Sequence, residues 1–257
     1  IETPDKNYGA NIVVADYVIT TASELKTVLS YAEAKGQVKH IVLGNNIENA
    51  GDYVNTASGS WFNGTFDGRG YAISDINITS GSLFSTVSPY ATIKNLAIVN
   101  AAGTSAVIAQ TFYGTITDVY VQAVLTGNPP SGLVVAAADS LANLGFKHDE
   151  IIKNVIVDIK VKDIIEGNSY VNGGTFGLIA GVATVCAATV TDCFAISDIN
   201  TGLYGTAQWS VDVGRDKVFA NGSALIAGIG NTLPEGFGEF WSIKDGKLYF
   251  GNGLILE

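Results

Sequence analysis

Apolar residues recur along this chain in short runs, each interrupted at its third position by Asn or Asp. Five segments share the form: ISDINI from Ile73, IKNLAI from Ile93, ITDVYV from Ile116, IKNVIV from Ile152 and VTDCFA from Val190. Successive starts lie 20, 23, 36 and 38 residues apart. The first two intervals are too short for a strand, helix, strand unit of roughly 30 residues, and each suits one turn of a strand-built solenoid. The longer two read as single turns carrying insertions, near residues 126–150 and 166–174.

A second series runs in antiphase: GSLFSTV at Gly81, SAVIAQTF at Ser105, SGLVVAAA at Ser131, GTFGLIAGV at Gly174 and GSALIAGIG at Gly222. Each is a small-residue entry followed by a short apolar strand, so two strand types alternate and a coil must have at least two sheet faces. Apolar positions then point inward, while Gly, Asn and Asp take corners where left-handed backbone costs other residues more. If the third position is a corner, Asp75, Asn95, Asp118, Asn154 and Asp192 form one column of alternating acid and amide. Carboxylates in adjacent turns, ~5 Å apart, would repel by up to ~3 kcal/mol at an effective dielectric near 20. An interposed amide relieves that repulsion.

The predicted fold is all-β, a single-stranded right-handed parallel β-helix with an N-terminal capping helix, in one domain over 1–257. Leu25, Val28, Leu29 and Ala32 fall at helical spacing within Thr21 to Lys35, with Thr21 or Ser23 as cap and Gly36 as stop. That places the capping helix at 20–36, over an open strand edge. Coils follow over 37–230, opening with HIVLGNNI as the first full strand. A terminal cap over 231–257 contains a hairpin around Asp245-Gly246.

Composition supports strands over helices and narrows the partners. Thirty glycines accompany abundant Val, Ile, Thr, Tyr and Phe. Formal net charge is -10, with only Arg69, Arg215 and scattered lysines as cations, which argues against nucleic acid or an anionic membrane surface. No apolar run reaches the ~20 residues of a membrane span. The chain starts at Ile1 and contains no methionine, which reads as a trimmed product or an excised fragment.

The succession SELKTVL, HIVLGNNIE, FNGTFDGRGYAISDINI, GSLFSTV and ATIKNLAIV resembles the N-terminal half of GLUG-type β-helix repeat proteins. The likeness covers about residues 20 to 125 and is looser beyond, where GTFGLIAGV and GSALIAGIG look like degenerate Gly-Leu-apolar-Gly motifs. It implies a right-handed parallel β-helix and a bacterial surface, secreted or bacteriophage structural component. It implies activity only weakly, because one fold hosts many functions.

Candidate chemistry is sparse. FNGTFDGRGY lacks the Gly-Lys-Ser/Thr of a phosphate loop and the alternating oxygen ligands of a calcium loop; Asp67-Gly68 and Arg69-Gly70 read as successive corners. Cys186 and Cys193 match no zinc or redox spacing and read as buried thiols in preference to a disulfide. His40 and His148 read as solvated residues. Asn63, Asn77 and Asn221 begin N-x-S/T sites, which matter only on a eukaryotic secretory route. Acids beside the insertions are Asp149, Glu150, Asp163 and Glu166.

No catalytic, cofactor-binding or metal-binding residue is assigned, and no cofactor is expected. Trp61, Tyr170 and Trp209 are aromatics that either stack on sugars or cap a ladder. The expected function is a non-catalytic exported surface or virion scaffold, outside the cell or on a particle, displaying loops for adhesion, glycan binding or assembly. The alternative is a polysaccharide lyase or glycoside hydrolase of the β-helix class.

Overall fold

A computed structural model describes residues 14–35, 39–55, 60–104, 106–126, 132, 134–138, 150–162, 177–182, 189–198, 203, 214–251 and 253–256. It is mostly β. Twelve strands form one sheet whose pairings are all parallel, five form a second parallel sheet, and three near the C-terminus form an antiparallel third. Strands of the first two sheets alternate along the chain. Phe84–Val87, Ala109–Phe112, Val135–Ala138 and Ala180–Val182 of the smaller sheet are interleaved with the long strands Thr92–Gly103, Thr115–Thr126 and Ile151–Lys162 of the larger one. The two sheets share one apolar interior, where Phe66 of the larger sheet meets Phe84 of the smaller at 6.0 Å and Phe84 meets Phe62 at 4.7 Å.

Register explains how that interior is filled. Ile41, Phe66, Ile93, Ile116, Ile152 and Val190 stand side by side on successive strands. A second column runs Ile73, Ile98, Val121, Val157 and Ala195. All but Val190 are buried. Each large aliphatic or aromatic side chain so buried contributes roughly 1.5–3 kcal/mol, and like shapes stack on one another at the ~4.8 Å strand spacing.

The third repeat position is a bend, as expected. Asn95, Asp118, Asn154 and Asp192 have φ between 51° and 55°, in the left-handed region that short polar side chains tolerate best. One member of the predicted column is displaced. Ile73 pairs with Ile98 and not with Ile93, and Phe66 occupies the place beside Ile93. Asp75 (φ 56°) therefore belongs to a second bend with Asn100 (φ 52°), whose Nδ2 donates to Asp75 Oδ1 at 2.6 Å. The cause is that Thr92–Gly103 bends twice, and ISDINI matches its second bend. Asp67 takes the vacated role, because its Oδ1 accepts from Asn95 Nδ2 at 3.0 Å and from the Arg69 N–H at 2.9 Å. The alternation of acid and amide survives with Asp67 in place of Asp75.

The N-terminal helix spans Ala22–Lys35. Glu24 N–H donates to Thr21 Oγ1 at 3.2 Å, while the Glu24 carboxylate accepts from the Thr20 and Thr21 N–H groups at 2.7 and 3.1 Å, a reciprocal capping box. Leu25 and Leu29 are buried, and the helix packs against Tyr17–Ile19 and Trp61–Phe62, edge strands of the two parallel sheets. HIVLGNNI is not the first strand, because Tyr17–Ile19 precedes the helix and pairs outside His40–Leu43.

GSALIAGIG departs from expectation. Gly222–Gly228 is a helix, with Asn221 Oδ1 accepting from Ala224 N–H at 2.9 Å as its N-cap. The rung beside Ala180–Val182 is already filled by Leu203, whose carbonyl accepts from Ile179 and Ala180 N–H at 2.8 and 3.2 Å. Leu225 and Ile226 instead join Trp241, Leu248 and Phe250 of the C-terminal hairpin against the outward row Ala97, Tyr120, Ile156 and Phe194. The hairpin Trp241–Lys244 and Lys247–Phe250 turns at Asp245 and Gly246, both at positive φ; a third strand, Leu254–Leu256, completes the sheet. The insertion near 166–174 and most of that near 126–150 lie outside the described residues, as do Cys186, His148, Tyr170, Trp209, Asp149, Asp163 and Glu166.

The bend column also anchors this C-terminal segment. Asp118 Oδ1 accepts from Gly238 N–H at 2.7 Å and from Asn154 Nδ2 at 3.1 Å, and its Oδ2 accepts from Thr117 Oγ1 at 2.9 Å; Asn154 Nδ2 also donates to the Gly236 carbonyl. Asp118→Ala removes a buried acceptor and puts a residue without side-chain compensation at φ 55°. We expect a loss of about 2–4 kcal/mol in urea unfolding, with Asp118→Asn losing less, and the fluorescence of buried Trp241 should report the same transition.

Candidate functional site

Outward-facing positions of the larger sheet form three rows across its strands. The first, Ala97, Tyr120, Ile156 and Phe194, is covered by the C-terminal segment. The next places Gln122 beside Asp158, and the third places Ala102, Val124 and Lys160 in line. Alternation along each strand makes this so: Val121, Ala123 and Leu125 point inward, as do Val157 and Ile159, leaving Gln122, Val124, Asp158 and Lys160 outside.

A bulge sharpens the arrangement. Opposite Gln122, the strand Thr92–Gly103 carries one extra residue between Ile98 and Ala101, and left-handed Asn100 stands there. Bulges re-aim side chains, and Asn100 joins Gln122, Ala123, Val124, Asp158 and Lys160 around an open depression of about 230 Å³.

Its electrostatics follow from a few contacts. Gln122 Nε2 donates to Asp158 Oδ2 at 3.3 Å, and Asn100 Nδ2 is spent on Asp75. Asn100 Oδ1 and Asp158 Oδ1 accept no hydrogen bond among the described residues, and each amide nitrogen keeps a second N–H. Lys160, two residues from Asp158 on the same face, makes no ion pair among the described residues. Burial, and after it the negative charge of Asp158, push the Tyr120 phenol well above its ordinary range. Asp158 thus stands close to the edge of the covered apolar row.

Other candidate residues are accounted for differently. Trp61 is 39 % exposed, but its ring stacks on Tyr113 at 5.4 Å and 14°, the ladder arrangement weighed as an alternative to sugar stacking. His40 opens a strand, and its N–H donates to Asp16 Oδ2 at 2.7 Å. Asn77 Nδ2 donates to Asp52 Oδ1 at 2.7 Å. Glu150 is buried. Among the described residues, no three His, Cys, Asp or Glu side chains converge as metal ligands.

Sequence reading passed over Asn100, Gln122, Asp158 and Lys160 because it concentrated on the third repeat position. A usable signal was present in IVDIKVK, where Asp158 and Lys160 alternate with buried aliphatics. Asn100 carried no comparable signal, since nothing in IVNAAG announces a bulge.

Cys193 is a buried free thiol, donating to the Thr191 carbonyl at 3.2 Å and the Ile152 carbonyl at 3.5 Å. Burial pushes its pKa from 9.0 up to about 12, so it stays neutral and is no nucleophile at ordinary pH. Above pH 9.0 the unfolded chain releases this proton while the native chain holds it, so stability falls as pH rises toward about 12. In a Cys186→Ser variant we expect no alkylation of Cys193 at pH 8 until denaturant is added; rapid labelling of the native chain would contradict its burial.

No family model, curated protein or solved structure matches the chain, so its own geometry carries the functional argument.

Proposed function

We propose that this chain winds as a right-handed parallel β-helix and serves as a non-catalytic exported scaffold, on a cell surface or virion, that binds glycan on its outer face. The winding is supported by the alternation of strands between the two parallel sheets from Phe84–Val87 to Ala180–Val182 and by the in-register columns beneath them. Right-handedness follows from the near-universal hand of parallel crossovers. Export to a surface is supported by the GLUG-type resemblance.

The observation that carries the binding reading is the depression at Asn100, Gln122, Val124, Asp158 and Lys160. A flat parallel sheet offers a row of fixed polar groups at strand spacing beside a patch of aliphatic carbon. A sugar ring has that same division, hydroxyls along its edge and C–H groups on its face. The groups sit on hydrogen-bonded strands and not on loops, so little ordering is needed on binding.

One observation favours a second reading, an enzyme of the lyase or hydrolase type: Asp158 and Lys160 stand on one face of one strand. Glycoside hydrolysis needs two carboxylates at a defined separation, and among the described residues Asp158 is the one carboxylate lining the depression. β-Elimination would need Lys160 as base and a second cation to neutralise the sugar acid.

A glycan array run beside a reducing-end release assay separates the two. Retention of a glycan class without new chain ends is the expected result. Product formation overturns the non-catalytic reading, and absence of retention across neutral and acidic glycans overturns glycan binding.

A further inference from the structure

Resting on that reading, we infer that the depression selects a sugar residue bearing a carboxylate, a hexuronate unit of an acidic glycan. The inference comes from an inventory of what the depression offers. Asn100 Nδ2 is committed to Asp75 and Gln122 Nε2 to Asp158. Each amide nitrogen keeps a second N–H, and Asn100 Oδ1, Gln122 Oε1 and Asp158 Oδ1 have no bond among the described residues. Donors and acceptors side by side suit sugar hydroxyls, which both donate and accept.

Among the described residues Lys160 is the single cationic side chain at the depression. Lys39, Lys94 and Lys217 are each held by a carboxylate, Asp16, Asp67 and Asp216 respectively, whereas Lys26, Lys153, Lys162, Lys244 and Lys247 form no ion pair among the described residues. Lys160 has no such partner among the described residues, although Asp158 is its neighbour on the same face. Side chains two apart on a strand are separated by roughly 6.6 Å, and the Asp158 carboxylate is turned across the sheet toward Gln122. A positive charge and an acceptor thus stand two residues apart along one strand, both lining the depression. In a chain of net charge -10, an anionic ligand gains little from long-range steering, so recognition depends on local contact.

The spacing chooses among acidic ligands. An α-amino acid carries its ammonium and carboxylate on one carbon and does not span from Lys160 to Asp158. A hexuronate carries its carboxylate at one edge of the pyranose ring and vicinal hydroxyls at the opposite edge. With the carboxylate on Lys160 and the hydroxyls on Asp158 and Asn100, the C–H face of the ring lies on Val124 and the aliphatic stem of Lys160.

The test uses the full chain with an oligosaccharide of hexuronate units and its carboxyl-reduced neutral counterpart, by calorimetry at low and high salt. We expect binding of the acidic form, weakened by salt, and about tenfold or more loss for the reduced form. Lys160→Gln should lose affinity on the same scale, Lys160→Arg should restore most of it, and Lys26→Gln, on the N-terminal helix Ala22–Lys35, should change nothing. Asp158→Asn should weaken both sugars. Equal binding of acidic and reduced forms, or full affinity in Lys160→Gln, overturns acid recognition and leaves the glycan-binding scaffold standing. Binding of neither form, with neutral glycans retained on the array, also overturns this inference alone.

Discussion

Every long strand of the larger sheet must turn at the same place as its neighbours, or the parallel pairing between them is lost. That constraint selects a left-handed residue at each turn, and Asp75, Asn95, Asn100, Asp118, Asn154 and Asp192 meet it. Stacking those turns brings polar side chains together at strand spacing. An unbroken column of acids would repel itself, and the chain answers by pairing amide with carboxylate: Asn77 with Asp52, Asn95 with Asp67, Asn100 with Asp75, Asn154 with Asp118. Each pair satisfies two polar groups at once and locks the register that the aliphatic columns beneath require.

The same bends decide where the rest of the molecule attaches. Asp118 and Asn154 have polar atoms beyond what their own column uses, and Gly236 and Gly238 present backbone groups to them. Beside those contacts the outward row of Tyr120, Ile156 and Phe194 is apolar where an exposed face would be polar, because Trp241, Phe237 and Leu225 cover it. Gly70, at φ 78°, lies directly under this cover, and a Cβ there would collide with the Phe240 ring. The glycine-rich stretch FNGTFDGRGY is therefore both a corner of the sheet and a seat for the hairpin, which accounts for its composition without a phosphate or a metal ion.

Beyond the edge of that cover the sheet face turns polar, and the bulge at Asn100 turns a plain row of side chains into a depression. Strands held in register, and the Lys160 ammonium with no ion pair among the described residues, are the features on which the proposed glycan binding rests. Covered apolar row and open polar row are adjacent, and Tyr120 senses both, being buried by one and raised further by the charge of Asp158 in the other.

Much of this was written in the sequence. The 2-residue alternation, the Asn/Asp punctuation and the antiphase Gly/Ser-led strands dictated parallel strands in two alternating sheets, because both backbone turning and side-chain facing are local properties. A helix capped at Thr21 or Ser23 and the turn at Asp245-Gly246 were legible for the same reason, while the part played by Glu24 was not read. Local pattern could not say which rung stands beside which. ISDINI fits IKNLAI by letter, yet it lies beside the second bend of Thr92–Gly103; GSALIAGIG reads as another rung, yet Leu203 already occupies that place and the segment folds as a helix on the outer face. Register, bulge and docking are settled by competition among distant segments for the same hydrogen bonds and the same apolar surface. Only the tertiary structure could therefore decide which polar residues share a depression.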